Sequence, residues 1–77
     1  MNENAIPKRL SAILDYFSIT QKELAQRSGL TETSLSRYIN GNRIPTVSAI
    51  ISITKATGVS PSWILGFGPD NEIGQIL

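Results

Sequence analysis

Residues 20 to 41 hold two helix signatures back to back with almost no chain between them. Thr20 offers a hydroxyl N-cap with Glu23 three residues on, a Thr-x-x-Glu capping box, and Gly29 supplies a left-handed C-terminal stop. Thr31 then caps a second segment in which Leu35 and Ile39 form an apolar seam and Asn40-Gly41 ends the run. The signals predict helices over about 21 to 28 and about 32 to 39 joined by a tight glycine turn. Such a joint leaves the second helix with one side on the core and a polar side open.

The rest of the chain reads as helix as well. Ile6, Leu10, Ile13, Leu14 and Phe17 share one helix face, and Pro7 suits a first turn, so helix 1 is expected over about 7 to 17. After the polar loop Asn42-Arg43-Ile44-Pro45, Thr46 caps a segment in which Val47, Ile50, Ile53 and Ala56 recur every three or four residues before Gly58. Its β-branched residues would suit a strand, but strict alternation is missing and both ends carry helix punctuation. Helix 4 is therefore expected over about 47 to 56. Ser60 as N-cap and Pro61 at the first helical position open a last short helix ending at Gly66, anchored by Trp63. The pattern predicts a compact all-α domain over residues 1 to 67, with residues 68 to 77 as a tail or linker.

At 77 residues the chain makes one small domain, near the size where a single hydrophobic core is only marginally sufficient. Cysteine and histidine are both absent. Disulfides, Cys/His zinc sites, thiol nucleophiles and imidazole acid/base chemistry go with them. The acids are scattered and no Gly-rich phosphate loop is present, so no enzyme activity, cofactor, metal or small-molecule substrate is expected. No apolar run approaches the roughly 20 residues of a membrane span, and Met1 to Pro7 is too polar for a secretory signal. A cytoplasmic protein without a membrane partner is the expectation.

The formal charge of +1 hides an uneven distribution. Residues 8 to 67 hold all seven basic side chains against three acids, a balance of +4, while Glu3, Asp70 and Glu72 sit outside. On helix 3, at about 100° per residue, Thr33 and Arg37 point nearly opposite to Leu35 and Ile39, flanked by Ser34, Ser36 and Asn40. Ser and Thr are poor helix formers, and long charged side chains are the usual choice for a merely solvated face. Short polar groups with an arginine suit the major groove, where side chains approach base edges closely.

The sequence resembles the lambda-repressor-like, Cro/repressor-type (XRE-type) helix-turn-helix family of DNA-binding proteins over roughly residues 8 to 67. The resemblance rests on Thr20-Gln21-Lys22-Glu23-Leu24-Ala25, Gly29-Leu30-Thr31, Ser34-Leu35-Ser36-Arg37-Tyr38, Asn40-Gly41, Pro45-Thr46 and Gly58 through Gly66, all in order and at the family's spacing. It implies a five-helix fold with the helix-turn-helix at helices 2 and 3, in which small Ala25 permits close crossing and Val59 and Trp63 close the core. It further implies that Glu32, Thr33 and Arg37 are base contacts with Ser34 and Ser36 as adjuncts. Gln21 at the start of helix 2 and Asn40, Asn42 and Arg43 past helix 3 are then phosphate contacts, with Lys22 and Arg27 as weaker ones. Glu32 either accepts from cytosine N4, rejects wrong sequences, or holds Arg37 in place. Lys8 and Arg9 at the start of helix 1 are further weak candidates, as readily read as solvated side chains. Many relatives pair an arginine of helix 1 with a glutamate late in helix 3; Leu14 and Ile39 take those places here, an apolar replacement that costs the fold little.

The function this implies is sequence-specific binding of double-stranded DNA by a transcriptional repressor. With so few basic residues each half-site neutralises few phosphates, so a homodimer on a pseudo-palindromic operator is expected, its recognition helices about 34–36 Å apart. The helix 4 to helix 5 region near Pro61 and Trp63, or the tail with Ile73, Ile76 and Leu77, would hold the pair together. The rival reading is a protein-interaction module, antitoxin-like or adaptor, on the same fold.

Overall fold

The computed structural model describes residues 4–73, which form five helices. They are α1 (Ala5–Phe17), α2 (Gln21–Ser28), α3 (Glu32–Ile39), α4 (Val47–Thr57) and α5 (Pro61–Ile64). α2 and α3 have the bounds that their caps predict. The Thr20 hydroxyl accepts from the Glu23 N–H at 3.1 Å and the Glu23 carboxylate accepts from the Thr20 N–H at 3.4 Å, closing the capping box. Thr31 accepts from the Ser34 N–H at 3.1 Å, and Thr46 from the Ala49 N–H at 3.0 Å. Gly29 ends α2 at φ 70, where a side chain would be strained.

α1 packs on α3 and α5, α2 on α3 and α4, and α4 on α5. Their shared core contains Leu10 and Ile13 from α1, Leu24 from α2, Leu35 from α3, Ile53 from α4 and Ile64 from α5, all fully buried. Val59 and Trp63 close it, as expected. Leu14 and Ile39 pack half-buried against the same cluster, an apolar contact as expected.

Several local expectations shift. α1 starts at Ala5, so Pro7 lies within the first turn, where its missing N–H still removes no helical bond. Ser60 precedes α5, yet its hydroxyl makes no cap and pairs instead with the Ser62 hydroxyl at 2.8 Å. α4 buries Ala49, Ile50, Ile53 and Thr54, while Val47, placed on the core face by its spacing, is 77% exposed and Ala56 is half-buried. The face of α4 that meets α2 and α5 is rotated from the one that periodicity picks out, and Val47, first in the helix, overhangs its end.

The largest correction concerns Arg9, which is 4% exposed rather than solvated. Its Nη1 donates to the Trp63 carbonyl at 2.7 Å and the Phe67 carbonyl at 2.8 Å, and its Nη2 donates to the Gly68 carbonyl at 2.6 Å. Nη2 and Nε also reach Asp70 Oδ1, at 2.8 and 3.1 Å. The carbonyls at the end of a helix lack intrahelical donors, and a planar guanidinium can serve several at once. Trp63 adds a second tie, its Nε1 donating to the Pro69 carbonyl at 2.9 Å. Residues 67 to 70 thereby lie against α1.

Candidate nucleic-acid interface

Three residues separate α2 from α3, and backbone bonds set their turn: the Gly29 N–H donates to Gln26 O at 3.3 Å and the Leu30 N–H to Ala25 O at 3.0 Å. Beyond it, α3 is held to the core by Leu35 and Tyr38, both buried, with Ile39 half-buried. Tyr38, three residues after Leu35, falls on the same face. This grip turns Thr33 and Arg37 outward, and both are exposed. Glu32 is exposed as well.

Gln21, Glu32, Thr33, Ser36, Arg37, Asn40 and Asn42 line one open cleft of about 450 Å³. The first residue of α2, the outward side of α3 and the following loop thus converge, although 21 and 42 lie at opposite ends of the segment. The loop is tied to α3, since the Asn42 and Arg43 N–H groups both donate to the Arg37 carbonyl, at 2.9 and 3.3 Å. Asn40 Nδ2 donates to Ser36 Oγ at 3.3 Å, which steadies both side chains at the rim.

Four of the sequence-predicted residues stand outside this cleft. The Ser34 hydroxyl accepts from Thr31 Oγ1 at 2.9 Å and so belongs to the N-cap. Arg27 Nη2 lies 3.8 Å from Glu23 Oε2, a loose exposed pair that leaves the guanidinium largely in solvent. Lys22 is exposed in the first turn of α2, and Arg43 lines a separate cleft of about 260 Å³ with Asn4, Tyr38 and Ile44.

Charge pairing does not follow that division. Among the described residues, Arg37 and Arg43 have no carboxylate within ion-pair distance. Lys8 is committed elsewhere, its Nζ 2.9 Å from Asp70 Oδ2. Hydrogen bonds from Lys8, and then from Arg9, hold the Asp70 carboxyl below its ordinary value. At the amino end of α2, Gln21 is half-buried, and the first N–H groups of a helix carry partial positive charge toward any anion in front of them. No cluster of His, Cys, Asp and Glu that could hold a metal occurs among the described residues. No described helix is long and apolar enough to cross a membrane.

Residues 10–64 match a family model described as helix-turn-helix. The chain is also similar to an uncharacterized HTH-type transcriptional regulator of Haemophilus influenzae, with 29% identity over 63 residues. That alignment covers 82% of this chain and 26% of the relative, so the chain spans about a quarter of the relative's length. No solved structure matches the chain.

Proposed function

The chain belongs to the helix-turn-helix family, and from that premise we propose that it is a DNA-binding transcriptional regulator that sets α3 into the major groove of double-stranded DNA as one half of a dimeric repressor. What carries the reading is the convergence of the polar side chains of Gln21, Glu32, Thr33, Ser36, Arg37, Asn40 and Asn42 on one open cleft. Arg37 donates two hydrogen bonds to guanine O6 and N7, and Thr33 sets its methyl against a thymine methyl. Glu32 at the start of α3 selects for cytosine or against other bases, with Ser34 and Ser36 as adjuncts. Gln21, on the amino end of α2, and Asn40, Asn42 and Arg43, past α3, hold phosphates on either side of the reading helix. Lys22 and Arg27 add weaker backbone contacts.

The modest excess of positive charge makes pairing necessary. One copy neutralises only a few phosphates, so two copies on a pseudo-palindromic operator reach typical specific affinities of about 10⁻⁸–10⁻¹¹ M where one does not. Occupancy of the operator then excludes RNA polymerase. Of the tail residues considered for pairing, Ile73 is half-buried against the core, and Ile76 and Leu77 lie outside the described residues.

Selection from random duplex DNA tests the reading. The expected product is a consensus with two inverted half-sites about one helical turn apart, bound with an affinity that falls steeply as salt rises. Recovery of no enriched sequence, or an affinity flat in salt, would overturn it.

A further inference from the structure

The loop after α3 returns against the first turn of α1: a side chain at Gly41, where φ is 78, would meet Pro7 Cγ at 3.5 Å. Beside that contact lies the cleft of about 260 Å³ that Arg43 borders. Its apolar walls are Ile6 and Pro7 from α1 and Ile44 and Pro45 from the loop. Pockets for drug-sized ligands hold roughly 300–1,000 Å³, so this one suits a shorter molecule.

Three polar features converge on those walls. Tyr38 is only 6% exposed and lines the cleft, and its hydroxyl makes no hydrogen bond with any described residue, yet is not sealed from water. A tyrosine buried to that degree ordinarily gives its hydroxyl a partner, and the cleft is where one fits. Arg43 has no carboxylate within ion-pair distance among the described residues, and no acid lines the cleft. The amino end of α1 borders it too, with no acidic residue in its first turn, so the leading N–H groups of that helix present uncompensated partial positive charge.

A donor hydroxyl, a guanidinium and a helix amino end all favour an anion, and a single guanidinium balances a single negative charge. The guanidinium fork matches the two oxygens of a carboxylate, and the apolar walls suit a short hydrocarbon body behind it. We propose that the cleft between the amino end of α1 and the loop after α3 binds a small aliphatic carboxylate, its head on Arg43 and the Tyr38 hydroxyl, and that this ligand loosens DNA by taking Arg43 from the phosphate it holds. The second half rests on the DNA-binding reading above; the first half does not. Coupling of this kind is reciprocal, so DNA weakens the carboxylate by the same factor.

Isobutyrate is the probe, with isobutyramide as its neutral match, each titrated into the full chain at constant ionic strength and followed by amide NMR shifts. Isobutyrate is expected to give saturable shifts centred on Tyr38, Gly41 and Ile44, and isobutyramide none. Its affinity is expected to fall at least fivefold in Tyr38→Phe, which keeps the buried ring, and in Arg43→Gln, at an exposed position. Shifts that do not saturate, or an affinity unchanged in either variant, would overturn the site. Inorganic phosphate is expected to bind at least fivefold more weakly than isobutyrate; binding as tight would overturn the carboxylate and give the cleft to the DNA backbone. Glu3→Gln, one residue before Asn4 at the cleft, is expected to leave the affinity unchanged, and a fivefold rise would give the cleft to the chain's own carboxylate. On the selected duplex, saturating isobutyrate is expected to weaken the wild type at least fivefold and Tyr38→Phe less than twofold, each relative to its own affinity without the probe. Equal weakening of both, or none in the wild type, would overturn the coupling to DNA. If the wild type binds no duplex, the DNA reading fails, and the titration without DNA decides the site independently.

Discussion

The Arg9 guanidinium lies 4.8 Å from the centre of the Trp63 ring while its Nη1 donates to the carbonyl of the same residue at 2.7 Å. A cation over an aromatic face and a charge-assisted bond to that residue's backbone fix the last short helix against the first. Neither helix is held by apolar contact alone at this end of the domain.

Arg9→Ala should therefore lower the stability of the domain by about 3 kcal/mol, because it removes the charge-assisted bonds of a buried guanidinium to the Trp63, Phe67 and Gly68 carbonyls and its packing on the Trp63 ring. Arg9→Lys should recover little of the loss, since an ammonium cannot span the carbonyls of Trp63, Phe67 and Gly68 together. Urea denaturation of the two variants checks this; a lysine variant as stable as the wild type would show that charge alone suffices.

Asp70 makes stability depend on acid pH. Its folded-state pKa is depressed below the ordinary 3.8 by hydrogen bonds from Lys8 and Arg9, so its contribution is fully present above that value and is lost as pH falls through the lower folded-state value. Asp70→Asn should be less stable than the wild type at neutral pH, with the difference closing as the solution is acidified below 3.8. Thermal melts of both proteins across that range read the crossover, and a difference constant with pH would remove Asp70 from the linkage.

Arg37→Ala should leave the melting temperature nearly unchanged, since the side chain is exposed and has no ion-pair partner among the described residues. Operator binding should weaken by about 1–3 kcal/mol, with preference relaxed at one base pair per half-site. A repeated selection that returns the wild-type consensus would take Arg37 off the reading surface.

Ser18 ends α1 in the left-handed region at φ 54, the sole non-glycine residue with positive φ among those described. Ser18→Gly should stabilise the domain by about 1 kcal/mol, because glycine adopts that conformation without the Cβ clash. Calorimetry would show the melting point rising, and a fall would mean that backbone entropy outweighs the strain.

Much of the fold was legible because its signals act over a few residues. Thr20 with Glu23, Thr31 with Ser34 and Gly29 at φ 70 place α2 and α3 with their observed bounds, and the wheel of α3 puts Thr33 and Arg37 outside. The family resemblance supplied Gln21 and Asn42, which no local pattern joins to α3. Tyr38 is legible in the same way, three residues after Leu35 on the core face of α3.

By itself the sequence determined where α2 and α3 start and stop, which side of α3 is polar, and that these 77 residues hold no histidine or cysteine. The tertiary structure alone decided the fates of Arg9 and Val47. The partners of Arg9 lie 54 to 61 residues away, so nothing near it in the chain distinguishes a clamp from a solvated cation. Val47 fits the apolar period of α4, yet it is exposed, because burial depends on where the other helices stand rather than on period. Capping and periodicity are local free energies, whereas burial and long-range charge pairing exist only once separate segments share the same space.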